Sequence, residues 1–285
     1  MVAAVGFPAW HLHPDVIVLM VAIEAVYLWA VSPRRFGGVR IASHRQIAAF
    51  SGGVLALWVA SDWPVHDLAE GYLYIVHMVQ HLLMTLVAAP LLLAGTPAAL
   101  ARRLLARRRA LTSVRALSRP MVGLVQFNLV LVLSHWPMVV DATLRHHPLH
   151  FVAHAVLLLS ALLMWMPVVS PLPEVPRARP PVQMLYLFLQ TILPTVPASF
   201  LTFGAHPLYH FYETVPRLWG ISARSDQQVA GLIMKIVGGL YLWSFIGVIF
   251  FRWYGQEEAE ERVGHELPEV LLWEDVEREL RQLER

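Results

Sequence analysis

Cysteine is absent from this chain of 285 residues. Disulfide bonds, iron–sulfur clusters and thiolate metal sites are therefore excluded. Charge is also scarce, since charged residues make up 15% of the chain, against about 25% in soluble domains. The hydrophobic fraction is 57%, the mean hydropathy is +0.54, and the apolar residues come in long blocks. These features predict an all-α, polytopic membrane protein without a separate soluble domain.

Seven apolar blocks are each long enough, with their flanking residues, to form a transmembrane helix. We therefore predict a bundle of about seven transmembrane helices. Pro90, Pro194 and Pro197 fall inside blocks and are expected to kink them, with neighbouring helices satisfying the freed carbonyl groups. The predicted spans are Val16–Val31, Ile47–Ala60, Tyr72–Leu93, Met121–Leu133, Leu149–Val169, Val182–Phe203 and Val229–Phe251.

The arginines are distributed unevenly between the two sides of this bundle. Fourteen fall in the first, third and fifth connections or directly after the last span, and three fall in the alternate connections. Because basic residues accumulate in cytoplasmic loops, the N-terminus is predicted outside and the C-terminus in the cytoplasm. The basic stretch Arg102–Arg119 then contacts anionic membrane lipid, and no nucleic-acid partner is needed to explain it.

The chain is predicted to divide into a transmembrane domain at residues 1–255 and an acidic cytoplasmic tail at residues 256–285. The tail carries eleven of the twenty acidic residues and only four arginines. Its apolar residues Leu272, Val276, Leu280 and Leu283 recur at helical spacing. The tail is therefore predicted to form an amphipathic helix, which lies on the inner membrane surface or docks a protein.

The third span contains two histidines four residues apart, His77 and His81, and Met84 follows three residues later. Residues at this spacing share one face of a helix. Ionisable groups among hydrocarbon side chains are costly, and they indicate function by default. A zinc protease would carry a glutamate directly after the first histidine, where this chain has Met78. The stripe therefore predicts a metal site without a hydrolytic base.

The fifth span repeats this pattern. His150 and His154 are again four residues apart, and His147 precedes them by one turn. Twelve of the fourteen histidines fall outside or in the outer half of a span under the predicted orientation. We expect the two helices to face each other and to hold one metal ion or a pair of ions. The predicted metal ligands are His77, His81, Met84, His147, His150 and His154.

Copper is the metal that this set of ligands favours. Neutral imidazole suits copper, zinc, iron and nickel, and a thioether narrows the choice towards Cu(I). Other interpretations of the histidines stay open. They can pack and hydrogen-bond between helices in a purely structural scaffold, they can line the path of a copper importer or exporter, or His81 and His154 can be axial ligands of a b-type haem.

Three further polar residues lie within or at the ends of predicted spans. Glu24 is near the middle of the first span, and Lys235, the one lysine of the chain, lies in the last span about nine residues after Asp226. Since either charge alone would be costly in a membrane, a Glu24–Lys235 ion pair is expected, with a proton or ion relay as the functional alternative. Asp226 opens the last span and is expected to cap it or to support a metal-bound histidine.

Several of these segments resemble the CtaG-like cytochrome c oxidase assembly factors that are associated with caa3-type oxidases. The resemblance covers roughly residues 10–253, without the acidic tail. The segments that carry it are His77-Met78-Val79-Gln80-His81, the run from Ala89 to Pro97, Ser134-His135-Trp136-Pro137, His150 with His154, and the run from Asp226 to Gly231.

The resemblance implies a seven-helix protein of the bacterial cytoplasmic (inner) membrane that helps to build a haem–copper oxidase. Such a protein would supply copper and would not be an enzyme. Its expected partners are membrane lipid and either a copper-accepting oxidase subunit or another assembly factor, and self-association stays open. A copper transporter and a b-type haem protein remain the alternative functions.

Overall fold

The structure is a computed structural model that describes residue 7, residues 9–266 and residues 273–283. Within these residues the chain forms helices and no β-strand. The predicted all-α fold is therefore confirmed.

The first half of the chain contributes seven helices and a short 3-10 turn at Pro33–Phe36. These helices are α1 (Pro14–Val31), α2 (His44–Ser61), α3 (Val65–Gly71), α4 (Tyr74–Leu82, a π-helical turn at Leu83–Ala88, and Ala89–Gly95), α5 (Ala98–Leu104), α6 (Arg108–Leu117) and α7 (Pro120–Ser134). The second half contributes α8 (Pro137–Arg145), α9 (His147–Val169), α10 (Pro180–Ile192), α11 (Thr195–Phe203), α12 (His210–Thr214), α13 (Ala223–Leu232, a π-helical turn at Ile233–Val237, and Gly238–Glu266) and α14 (Trp273–Leu283).

All seven predicted spans are helical, but they differ in length and apolar content. The segments long and apolar enough to cross a membrane are Pro14–Phe36, Tyr74–Gly95, His147–Val169, Pro180–Phe203 and Ala223–Glu260. A sixth is present if α6 and α7, which are bent by 83° relative to each other, count as one broken span. The chain is therefore a multi-pass helical membrane protein with five to six candidate spans, whereas the count of seven and the orientation stay predictions.

The helix that carries His77 and His81 lies at the centre of the bundle. Within an apolar stretch of 18 residues in each helix, 56% is buried in α4, compared with 17% in α1 and 17% in α13. The helices α2, α3, α9 and α13 all pack against α4, while α1 packs mainly on α2 and reaches α4 through Met20 and Tyr27. Side chains on α4 are therefore enclosed by protein, whereas α1 and α13 present most of their apolar surface outward.

Pro90 and Pro194 interrupt their helices in two different ways. The π-helical turn Leu83–Ala88 directly precedes the short segment that contains Pro90, and a proline removes one backbone hydrogen bond from a helix. Within this turn the Thr85 carbonyl accepts a hydrogen bond from Trp165 Nε1 at 2.8 Å, which fastens the widened turn to α9. Pro194 instead separates α10 from α11. The helices are therefore irregular at Pro90 and Pro194, whereas Pro197 lies in the first turn of α11 without interrupting it.

Three short helices, α3, α8 and α12, meet at one end of the bundle. Tyr212 in α12 donates its hydroxyl to the Ala69 carbonyl in α3 at 2.6 Å. The backbone amide of Phe211 donates to Asp141 Oδ1 in α8 at 3.1 Å. The helices α4 and α9 begin here, so their histidines lie directly beneath these short helices. We call this end of the bundle the histidine end.

The predicted ion pair between Glu24 and Lys235 is wrong. Glu24 Oε1 accepts a hydrogen bond from Ser51 Oγ on α2 at 2.6 Å. Lys235 lines a groove together with Thr195 and Ser199. The two charged groups do not meet because α1 packs on α2, whereas α13 packs on α10 and α11.

The acidic tail is helical in its described parts. The helix α13 continues without a break from the apolar span to Glu266, and α14 follows where an amphipathic helix was predicted. Leu280 is 52% exposed and Leu283 is 84% exposed, while Leu272 lies outside the described residues. The apolar face of α14 is thus uncovered at both leucines, and its contact with lipid or protein stays a prediction.

Gly95 lies at a close approach of α4 to α2, and it provides a stability prediction. A Cβ atom built on Gly95 would lie 2.6 Å from Phe50 Cα, and the Gly95 carbonyl accepts a hydrogen bond from the Tyr27 hydroxyl at 2.7 Å. We expect Gly95→Ala to force the helices apart and to cost about 1–3 kcal/mol, as overpacking typically does. Thermal unfolding in detergent measures the loss. Gly247→Ala is the matched control because a Cβ there meets no atom within 4 Å, and an equal Tm for both variants would refute the prediction.

Candidate metal centre

The structure brings three of the predicted ligands together beneath the histidine end. The metal-ligating nitrogens of His77, His81 and His154 all lie within 4.8 Å of one another. Two of these residues come from α4 and one from α9, so the two helices face each other at their histidine pairs. His77 is 4% exposed and His81 is 6% exposed. The cluster is therefore enclosed by protein.

The spacing within this cluster matches that of ligands around one ion. His81 Nε2 and His154 Nε2 are 3.2 Å apart. Two nitrogens bonded to one metal at about 2.0–2.1 Å in tetrahedral geometry are separated by about 3.3 Å. The His77 ring lies 4.3 Å from the His81 ring and 5.9 Å from the His154 ring. An ion bound by the two Nε2 atoms would thus have a third imidazole beside it.

His150 borders the same cluster from one turn earlier on α9. Its ring centre lies 4.1 Å from that of His154 and 5.7 Å from that of His77. Its Nε2 atom is buried and has no hydrogen-bond partner, while its Nδ1 atom contacts Glu70 Oε1. His150 is therefore oriented by a carboxylate through one nitrogen and leaves the other free for an ion.

His147 and Met84, the remaining predicted ligands, lie apart from this arrangement. The His147 side chain is 88% exposed, with its Nδ1 atom 3.7 Å from Glu70 Oε2. Met84 is buried in an apolar cluster with Met20 and Val54, although it lines the same cavity as His150 and His154. The structure therefore groups four of the six predicted residues and places these two at the edge.

Sequence reasoning did not select His135 as a ligand, although it joins the cluster from the end of α7. Its ring centre lies 5.3 Å from that of His81. Its Nδ1 atom is 2.7 Å from the Leu131 carbonyl, and because a carbonyl only accepts, Nδ1 carries the proton. The Nε2 atom is then the basic nitrogen, and it is buried without a partner. His135 is thus a further candidate ligand.

Glu70 is the second residue that sequence reasoning missed. Besides contacting His150, its carboxylate lies 3.3 Å from His66 Nδ1. Burial alone would raise the pKa of Glu70, but the contact with His150 and the nearby imidazoles of His66 and His147 outweigh burial, so its pKa lies below the ordinary value. The four-residue spacing of His66 and Glu70 on α3 was the available indication. Glu70 therefore supplies negative charge beside the cluster.

Asp226 holds the start of α4 in place. It is fully buried, and its two oxygens accept hydrogen bonds from the backbone amides of Tyr74 at 2.9 Å and Ile75 at 2.8 Å. Its own helix is capped by Ser222. The prediction that Asp226 caps its own helix is therefore wrong, because its carboxylate instead accepts from the first amides of the helix that carries His77 and His81. Support of a metal-bound histidine by Asp226 stays a prediction.

Gln80 lies between His77 and His81 in the sequence, and its side chain connects α4 to α2. It is fully buried, and its Nε2 atom donates to the Ala60 carbonyl at 2.7 Å. An amide cannot serve as a general base, so this position anchors helices and offers no route to metal-assisted hydrolysis.

The fold and the site together define a class of protein. It is a multi-pass helical membrane protein in which a central helix and its neighbours bury a cluster of imidazoles. The carboxylate of Glu70 contacts one of these imidazoles, His150. The chain belongs to the cytochrome c oxidase caa3 assembly factor family (Caa3_CtaG), because the sequence model of that family matches residues 25–256. The resemblance seen in the sequence is thereby confirmed. No curated protein and no solved structure matches the chain.

Proposed function

We propose that this protein binds copper at the histidine end and delivers it to a cytochrome c oxidase of the caa3 type during assembly. The observation that carries the proposal is a set of buried imidazole nitrogens without a hydrogen-bond partner. Around the pair formed by His81 Nε2 and His154 Nε2, they are His77 Nδ1, His135 Nε2 and His150 Nε2. Buried polar atoms are almost always paired, and a bound metal ion would satisfy several of these at once.

Copper fits the chemistry of this set. Among divalent first-row ions an imidazole site binds Cu²⁺ most tightly, and the thioether of Met84 at the edge favours Cu(I). A delivery protein requires ligands that exchange readily, and imidazole ligands exchange more readily than a cage of thiolates. No bond of a substrate is made or broken in this role, so no catalytic residue is assigned.

The arginine distribution supports a location of the histidine end on the outer side of the bacterial cytoplasmic membrane. There the protein accepts copper and passes it to an oxidase subunit or to another assembly factor.

The test combines metal analysis with oxidase maturation. Wild-type protein, purified in detergent and supplied with copper, is expected to retain stoichiometric copper after desalting. A strain without the gene is expected to make oxidase with reduced copper content, and the wild-type gene restores it. Protein that retains no copper, together with fully copper-loaded oxidase in the deletion strain, would refute the proposal. Copper flux into proteoliposomes would instead indicate a transporter.

The haem alternative meets a geometric difficulty. Two axial ligands lie on opposite faces of a porphyrin, and His81 Nε2 and His154 Nε2 are only 3.2 Å apart. That separation leaves no room for the iron and its ring between them. The absorption spectrum of the purified protein is therefore expected to lack a Soret band.

Glu70→Gln tests how the site is held. The amide keeps the shape of the side chain but removes the charge that faces His150 Nδ1. Loss of such a supporting group typically lowers metal affinity about 10–100-fold, and we expect a decrease of this size in copper titrations against a competing chelator. Glu213→Gln is the control because Glu213 also contacts an imidazole, His210 Nδ1 at 3.1 Å, but at the exposed surface. Unchanged affinity in Glu70→Gln would show that Glu70 does not position His150.

A further inference from the structure

A second cluster of metal-ligating groups lies at the surface of the histidine end. The ligand atoms of His11, His13 and Asp67 all lie within 4.8 Å of one another. His13 Nε2 is 2.9 Å from Asp67 Oδ2, and His11 Nδ1 is 3.7 Å from Asp67 Oδ1. We propose that these three residues form a solvent-facing site for a divalent transition-metal ion, and that this site supplies the buried histidine cluster.

The three side chains form a gradient from solvent to protein. The side chain of His11 is 70% exposed, whereas those of His13 and Asp67 are 16% and 21% exposed. An ion arriving from solution therefore meets His11 first and is held against the two less exposed groups. Two imidazoles with one carboxylate suit Cu²⁺, Zn²⁺ or Ni²⁺, with Cu²⁺ bound most tightly.

A cavity joins this outer site to the buried cluster. It has a volume of about 270 Å³, and its wall includes His13, His66, Glu70, His150 and His154. One residue of the outer site, His13, and two of the buried cluster, His150 and His154, therefore border the same space.

Imidazoles follow this cavity at short intervals. The ring centre of His13 lies 5.1 Å from that of His66, which lies 6.2 Å from that of His150. His150 in turn lies 4.1 Å from His154. An ion can thus move from the outer site to the buried cluster without leaving the reach of a nitrogen ligand.

The outer site is also separate from what the family match describes. That match begins at residue 25, so it includes Asp67 but neither His11 nor His13. The site stands on its own geometry, whereas its role as supplier of the buried cluster rests on the proposed function.

The experiment measures two classes of bound metal in the intact, detergent-solubilised protein. Cu²⁺ is added, and a water-soluble chelator then separates rapidly exchanging from slowly exchanging copper. Wild type is expected to hold both classes, and His11→Ala/His13→Ala is expected to lose the rapid class and to load the slow class more slowly. We expect Asp67→Asn, which preserves side-chain size, to lose the rapidly exchanging copper as well. His210→Ala is the matched control because the His210 side chain, at 71%, is as exposed as that of His11 and also pairs with one carboxylate.

The outcomes separate this inference from the proposed function. His77→Ala/His81→Ala should lose the slow class and keep the rapid one, which would establish the outer site whatever the buried cluster does. If His11→Ala/His13→Ala and Asp67→Asn keep the rapid class, the outer site is refuted while the buried site stands. If they lose the rapid class but load the slow class at the wild-type rate, the outer site does not supply the buried cluster.

Discussion

We expect the His77→Ala/His81→Ala double variant to lose the slowly exchanging copper and to leave the caa3-type oxidase without its copper, while the protein stays folded. The two rings lie 4.3 Å apart and supply two of the three grouped nitrogens, so one imidazole of that group remains. Both Nδ1 atoms lack a hydrogen-bond partner, so their removal leaves few polar groups newly unpaired. Elemental analysis of the purified variant and the copper content of oxidase from the same strain measure both effects.

Two comparisons make this result interpretable. His77→Gln/His81→Gln retains more of the side-chain volume and should behave like the alanine variant, which separates ligand loss from a packing defect. His146→Ala removes an exposed histidine at the same end and should match wild type. A double variant that retains copper and matures the oxidase normally would show that the buried cluster is not the delivery site.

Asp226→Ala is expected to be the most destabilising single substitution at the histidine end. It removes the acceptor for the first two amides of α4, at Tyr74 and Ile75. It also leaves Arg217, whose Nη1 atom is 3.7 Å from Asp226 Oδ2, without its counter-charge. Breaking a buried ion pair in this way typically costs about 3–5 kcal/mol. We expect a correspondingly lower Tm in detergent, and weaker copper binding because α4 carries His77 and His81.

The matched control is Ser222→Ala, which removes the cap of α13 itself, where Ser222 accepts from the Ser225 amide at 3.1 Å. Loss of an exposed cap costs about 1 kcal/mol and should leave copper affinity unchanged. Asp226→Asn keeps one acceptor oxygen and should fall between the two. Equal stability of Asp226→Ala and Ser222→Ala would refute the role of Asp226 at α4.

The sequence predicts the features of this protein that depend on local spacing. Apolar blocks of sufficient length placed every predicted span on a helix. The four-residue spacing of His77 with His81 and of His150 with His154 defined two faces, and the structure turns those faces towards each other. Helical periodicity and hydropathy carry this information because each is a property of neighbours along the chain.

The parts that could not be predicted depend on approaches between distant segments. Asp226 meets Tyr74 across 152 residues, and nothing near either residue encodes that contact. Glu70 lies on a seven-residue helix, Val65–Gly71, in the connection between the second and third predicted spans, where no helix was predicted. The opposite charges of Glu24 and Lys235 suggested a pair, but the order in which helices pack decides which charges meet.

Met84 shows how a local irregularity defeats a spacing argument. It follows His81 by three residues, which in a regular α-helix would continue the histidine stripe. It belongs to the π-helical turn Leu83–Ala88, where each turn takes up more residues than in an α-helix. The stripe therefore loses its register there, and Met84 packs with Met20 and Val54. The π-helical turn could not be anticipated from apolar periodicity alone.

The seven-residue helix α3 carries a group for each of the two sites, one turn apart. Asp67 belongs to the proposed outer site, and Glu70 contacts His150 of the buried cluster. If an ion at the outer site shifts Asp67, the helical turn that holds Glu70 shifts with it, and the two occupancies are then thermodynamically linked. Linkage is reciprocal: the factor by which outer copper changes buried affinity equals the factor by which buried copper changes outer affinity. A loaded centre would thereby set how firmly the next ion is held at the surface.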